Sequence, residues 1–188
     1  MATKGNSALN EGIPVVKDAF VVIVKTEWNA HIIDELEAGC LRVFKANAIN
    51  SQTIVVPGAF EIPFAIKNFA KNSTKKATAF IALATVIRGD TPHFDYVCKG
   101  ITDGVMQLNL SLDVPTIFGV LTVENEQQAL ERIGGIHGHK GEEAAITAIK
   151  MMALQKDISW TFKRAASLYL PLLCIFFVAI SSIKQCYF

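Results

Sequence analysis

The sequence predicts an α/β protein, a three-layer open parallel sheet of four strands in flavodoxin-like topology with helices on both faces. Three observations carry that reading. From Asp18 to about Asp157, short apolar runs alternate with longer stretches whose apolar residues fall at helical spacing. The short runs are apolar at consecutive positions, which is the pattern of strands covered on both faces. Repeated strand–helix units of this length assemble into a doubly wound layer.

The elements follow in order. "AFVVIVK" (Ala19–Lys25) is a β-branched strand, and "NAHIIDELEAGCLRVFKAN" a helix with Ile32, Ile33, Leu36, Cys40, Val43 and Phe44 on one face. "QTIVVPGAF" is a second strand closed by Pro57-Gly58. "EIPFAIKNFAK" is a helix that tolerates Pro63 in its first turn. "ATAFIALATVI" is the third strand and "PHFDYVCKGITDGVMQLNLSL" its helix, with Thr91 as N-cap and Pro92 at the first helical position. "PTIFGVLTV" is the fourth strand. Asn125 and Gln128 then cap "QQALERI", and "GEEAAITAIKMMAL" is the last helix.

Composition narrows the function. A chain of 188 residues holds one well-filled core and not two ordinary domains. Net charge is +1 and no basic stripe runs along any helix, which excludes nucleic acid and leaves a small molecule or another subunit as partner. Four cysteines without CxxC or framework spacing point to a reducing, cytoplasmic setting. Residues 1–17 read as a polar arm, 18–158 as the domain and 159–188 as a hydrophobic tail. Within that tail, "AASLYLPLLCIFFVAISSI" (Ala165–Ile183) is about the ~20 uncharged residues that span a bilayer. It is a spanning segment, a buried final helix or an appendage to the fold, and a membrane-associated form follows only if it inserts.

Ligands of open α/β sheets bind at the carboxyl ends of strands, near a switch in strand order. "RGDTPHFD" crowds an acid, a hydroxyl, a histidine and a second acid at the end of the third strand. Its helix start offers unpaired N–H groups to an anion, or is simply a capped helix. "VPGAFEIP" presents Ala59, Phe60 and Glu61 at the end of the second strand, and "TEWN" presents Trp28, which either packs or stacks on a flat ligand. "RIGGIHGHKGEE" matches neither standard phosphate loop. Its His137 and His139 lack a third metal ligand and read as solvent-facing loop residues, and its Arg132 and Lys140 as surface charges or anion ligands for a neighbouring subunit.

"TEWN", "VPGAFEIP", "VIRGDTPHFDYV", "TIFGVLTVEN" and "ALERIGGIHGHKGEEAA", in this order and spacing, resemble the lumazine synthase family across roughly Phe20 to Leu154. The resemblance implies condensation of 5-amino-6-(D-ribitylamino)uracil with 3,4-dihydroxy-2-butanone 4-phosphate, the penultimate step of riboflavin biosynthesis, with no metal or redox cofactor. By position it implies that Trp28 stacks on the pyrimidine, with Asn29 beside it. Ala59, Phe60 and Glu61 then bind the ribityl side, and Thr85, Val86 and Ile87 bind the pyrimidine edge by main chain. Asp90 and Thr91 line the butanone phosphate, and His93 moves the proton. Phe118 and Arg132 come from an adjacent subunit, Arg132 pairing with phosphate and Lys140 assisting. The family implies a homopentamer, in some members a sixty-subunit capsid, and riboflavin synthase as a partner. His139 departs from the asparagine that often precedes this lysine, and the tail has no counterpart. The competing readings are a non-catalytic shell or lumazine/flavin-binding protein of the same fold, and a flavodoxin-like electron carrier. The carrier lacks a hydroxyl-rich phosphate loop where "KTEWNA" stands.

Overall fold

The structure, a computed structural model, describes residues 11–159. The expectations for the apolar tail fall almost wholly outside them. The chain divides into two units, Met1–Ala153 and Leu154–Phe188, and the sheet belongs to the first. Among the described residues no helix is long and apolar enough to cross a membrane.

Four strands form the sheet: β1 (Phe20–Thr26), β2 (Asn50–Val56), β3 (Ala79–Ile87) and β4 (Thr116–Val123). All pairings are parallel, as the strand–helix alternation predicts, and the order is β2-β1-β3-β4. Helix α1 (Ala30–Ala46) follows β1, α2 (Ile62–Asn72) follows β2, and α3 (His93–Ser111) follows β3. Beyond β4 come α4 (Glu126–Leu130), the short strands β5 (Ile133–Gly135) and β6 (Gly138–His139), and α5, over residues 140–159.

Alternate strand residues point to opposite faces, so a strand apolar throughout feeds two cores. Val21, Ile23, Ile81, Leu83 and Leu121 pack with Ile32, Leu36 and Phe44 of α1 and with Ala145 and Ile149 of α5. Phe20, Val22, Phe80, Ala82 and Val120 pack on the other side with Ile62 and Ile66 of α2 and Ile101, Val105 and Leu108 of α3. Ile23, Ile81 and Leu83 are fully buried, and each contributes about 1.5–3 kcal/mol. The two edge strands depart from burial on both faces: Val55 of β2 is 51% exposed and Phe118 of β4 42%.

Local chemistry sets the element ends. Asn29 opens α1 in the left-handed region (φ 59°), which asparagine tolerates better than most residues. Asn125 caps α4 by accepting from the Gln128 N–H at 3.0 Å, as its spacing predicts, and the Gln128 side chain accepts in turn from the Glu124 N–H.

Four local expectations need correction. α3 begins one residue later than its motif suggests: Pro92 is the cap residue, and the Thr91 hydroxyl only accepts from the His93 N–H at 3.4 Å. A 3₁₀ turn, Ala59–Glu61, precedes α2. The α4 helix stops at Leu130 rather than continuing to Ile133. The glycine-rich loop is an antiparallel hairpin, β5 with β6. Its backbone needs positive φ at Gly134 and Gly138, where a side chain would be strained.

α3 approaches the chain around α2 unusually closely. A side chain at Gly100 would overlap the Phe60 ring, and one at Gly104 would meet Pro63 Cγ at 2.5 Å.

Candidate active site

The strand order reverses between β1 and β3, and a cleft of about 650 Å³ opens there at the carboxyl ends of the strands. It is lined by the chain leaving β1 (Thr26, Trp28, Asn29), the turn after β2 (Gly58 to Glu61) and the end of β3 (Thr85 to Ile87). The first turns of α3 (His93, Tyr96, Val97) complete it.

β3 is longer than its neighbour. Its last pairing with β1 is at Leu83, while pairing with β4 continues to Ile87. Beyond Leu83 the flank of β3 turned toward β1 therefore has no strand partner, and its main-chain groups meet the cleft. Asn29 occupies one of them, donating from Nδ2 to the Thr85 carbonyl at 2.8 Å. The same side chain makes no cap bond to α1, so its amide ties the β1 exit to β3 instead. The Thr85 hydroxyl is buried and has no hydrogen-bond partner.

The aromatic walls stand open. Trp28 is 73% exposed and Phe60 63%, although the Trp28 main chain is held by its N–H bond to the Pro57 carbonyl and by the Thr26 hydroxyl on its own carbonyl. Glu61 curls back over Gly58, where any side chain would lie 2.9 Å from Oε2. The loop from β3 to α3 is braced by Arg88, which donates to Glu124 at 2.7 Å and to Asp95 at 3.2 Å and lies over the Phe94 ring. Asp90 and Thr91 are exposed on that loop.

The expectations divide cleanly. Trp28, Asn29, Ala59, Phe60, Glu61, Thr85, Val86, Ile87 and His93 share one cleft. Asp90, Thr91, Phe118, Arg132 and Lys140 do not line it. Phe118 is 42% exposed on β4, at the edge of the sheet. Arg132 donates to the Gln128 carbonyl at 2.6 Å, closing the end of α4, and Lys140 pairs with Glu143 at 2.7 Å. Sequence reasoning missed Thr26, Tyr96 and Val97. The last two lie three and four residues beyond His93, and that helical spacing would have found them.

His137 and His139 are not the solvent-facing loop residues their glycine-rich surroundings suggest. Both are partly buried, with His137 Nδ1 and His139 Nε2 shielded from solvent and unbonded. Burial pushes the His139 imidazole below its ordinary value; Glu142 and Glu35 oppose that shift, and Arg42 adds to it.

Comparison with known proteins identifies the family. The family model described as 6,7-dimethyl-8-ribityllumazine synthase matches residues 18–156. A protein of that name from Parabacteroides distasonis is 46% identical over 143 residues, 74% of this chain and 88% of the relative. One from Porphyromonas gingivalis is 44% identical over 78% of this chain and 91% of its own length. One from Christiangramia forsetii is 43% identical over 84% and 96%.

Proposed function

The chain belongs to the 6,7-dimethyl-8-ribityllumazine synthase family, and from that premise we propose how its cleft performs the reaction. The enzyme condenses 5-amino-6-(D-ribitylamino)uracil with 3,4-dihydroxy-2-butanone 4-phosphate. Its products are 6,7-dimethyl-8-ribityllumazine, phosphate and water, in the penultimate step of riboflavin biosynthesis. The observation that carries the assignment of roles is the convergence of three strand ends and the start of α3 on one cleft.

The pyrimidine lies against Trp28, a flat face for a flat heterocycle. Its polar edge meets the free main-chain flank of Thr85 to Ile87. Asn29 keeps that edge in place through the Thr85 carbonyl. The ribityl chain runs along Ala59 and Phe60, and the Glu61 carboxylate accepts from its hydroxyls.

The 5-amino group attacks the ketone of the second substrate, and water leaves as the Schiff base forms. Phosphate elimination leaves an enol that becomes a ketone, and the ribitylamino nitrogen closes the ring on that carbonyl with loss of a second water. His93, at the start of α3 on the cleft wall, gives a proton to the departing hydroxyl and takes one back later, work that typically contributes ~10²–10⁴-fold. Much of the remaining rate comes from holding two bound reactants in register.

Asp90 and Thr91 flank the phosphate. Arg132, Lys140 and Phe118 complete this end of the site from an adjacent subunit of a homopentamer. That Arg132 lies outside the cleft of its own chain supports that reading. The pentamer, any larger capsid and riboflavin synthase as partner belong to this reading, as does a cytoplasmic setting. So does the division into an arm (1–17), a catalytic domain (18–158) and a tail (159–188). Phosphate release requiring both substrates, measured beside particle mass in solution, tests it. Tight lumazine binding without phosphate release would mark a non-catalytic binding protein instead.

A further inference from the structure

His139 sits at the junction of three elements. It ends the hairpin as the last residue of β6, and α5 starts at the next residue. Its Nδ1 accepts from the Glu142 N–H at 3.4 Å, the bond that an N-cap side chain makes to the third residue of its helix. An accepting Nδ1 requires the neutral ring with its proton on Nε2.

The ring also occupies a notch in α1. A side chain at Gly39 would overlap His139 Cε1 and Nδ1 and come within 3.0 Å of Nε2. The contact continues along the same helix face. Leu36 main chain leaves no room for a side chain at Gly141, and the Cys40 thiol donates to the Gly141 carbonyl at 3.1 Å. The hairpin cannot shift independently of this anchor. Ile133 pairs with His139, the Lys140 N–H donates to the Arg132 carbonyl at 2.8 Å, and the His137 N–H donates to the Glu131 carbonyl at 3.0 Å.

We propose that His139 is a titratable cap and a positioning residue. Its neutral ring locks the hairpin carrying Arg132 and Lys140 to α1, so that acid loosens the hold on the phosphorylated substrate. The inference rests on the reading that Arg132 and Lys140 meet the phosphate.

Protonation would place an N–H on Nδ1 against the Glu142 N–H, two donors facing one another at the positive end of a helix. It would also put a charge on a partly buried ring whose Nε2 is shielded from solvent. The charged groups that act on the ring are Glu35 and Arg42 of α1 and Glu142 of α5. Arg42 and Glu142 pair with each other at 2.9 Å, which mutes both. Because folding lowers the proton affinity of this ring, the unfolded chain binds more protons as pH drops below the ordinary value of 6.5. The stabilising contact is therefore complete above that value and is lost as pH falls toward the folded-state value.

The test compares the full chain with His139→Asn, whose side chain caps but does not titrate, from pH 8 to pH 5. The KM for butanone phosphate is normalised to pH 8, so the phosphate's own titration cancels between the proteins. In acid the native chain should lose roughly 3–10-fold more, as expected for a lost cap, while the pyrimidine KM moves equally in both. Amide-exchange protection at Glu142 should fall in acid only in the native chain. Gly39→Ala, which displaces the ring without changing a titrating group, should raise the butanone phosphate KM at every pH. Equal protection at Glu142 in both proteins overturns the cap, whatever KM does. Protection that falls without a change in KM leaves the cap standing and overturns the assignment of phosphate to Arg132 and Lys140.

Discussion

The cleft and the hairpin are built on opposite principles. The cleft wall comes from one chain, from the ends of β1, β2 and β3 and the start of α3. The hairpin holds Arg132 and lies beside Lys140, yet neither lines the cleft, and each satisfies itself locally on Gln128 or Glu143. A parallel sheet brings strand ends together as a consequence of its topology. A cation on a peripheral hairpin finds an anion only through its neighbours. On the proposed reading, the pyrimidine is recognised by the fold and the phosphorylated substrate by the assembly of subunits.

Removing the cation is the strongest way to break the comparison. Arg132→Ala should cost about 10²–10³-fold in kcat/KM for butanone phosphate, the range for an unpaired buried ion partner. Pyrimidine affinity, read by equilibrium titration, should hardly move, and equal loss for both substrates would make Arg132 a structural residue. Next in size, His93→Ala should lower kcat by about 10²-fold, the lower end for proton transfer, because the condensation has intrinsic reactivity. Unchanged turnover across pH would remove His93 from the mechanism.

Asn29 sharpens the contrast from the cleft side. Asn29→Gly keeps the left-handed backbone and loses one hydrogen bond, so pyrimidine KM should rise by about 5-fold with butanone phosphate KM unmoved. Asn29→Ala should match it in KM but melt lower, since a left-handed alanine costs roughly 1–2 kcal/mol more. Equal melting points for the two would mean that backbone strain is not borne at Asn29. The smallest effect is expected from truncation after Asp157, which should leave steady-state kinetics unchanged and raise solubility. Loss of activity on truncation would make the tail part of the catalytic fold.

What the sequence made legible follows the same division. Strands apolar on both faces, with helices between them, required a covered parallel sheet, and the sheet placed "TEWN", "VPGAFEIP" and "VIRGDTPHFD" at one mouth. The hairpin was illegible because Gly134, Gly135 and Gly138 carry no strand propensity; its backbone is held by loop hydrogen bonds and positive φ. His139 was misread for a related reason. Polar residues among glycines suggest solvent, and nothing local reveals a notch in α1, a hundred residues earlier, that admits an imidazole. The one-residue error at Thr91 reflects how weakly a single hydroxyl defines a helix start when proline follows it.

Gly100 and Gly104 have a consequence for tolerance to change. They let α3 approach Phe60 and Pro63 more closely than any side chain would allow. Because the same helix carries His93, Tyr96 and Val97, the gap between this wall of the cleft and Phe60 is gauged by two missing methyl groups. A methyl group added at Gly104 would press on Pro63, and one added at Gly100 on the Phe60 ring that lines the mouth, so either would act as a shim that widens it. The calibre of the cleft is thus written about two and three turns along α3 from His93, in positions that an inventory of contacts would pass over.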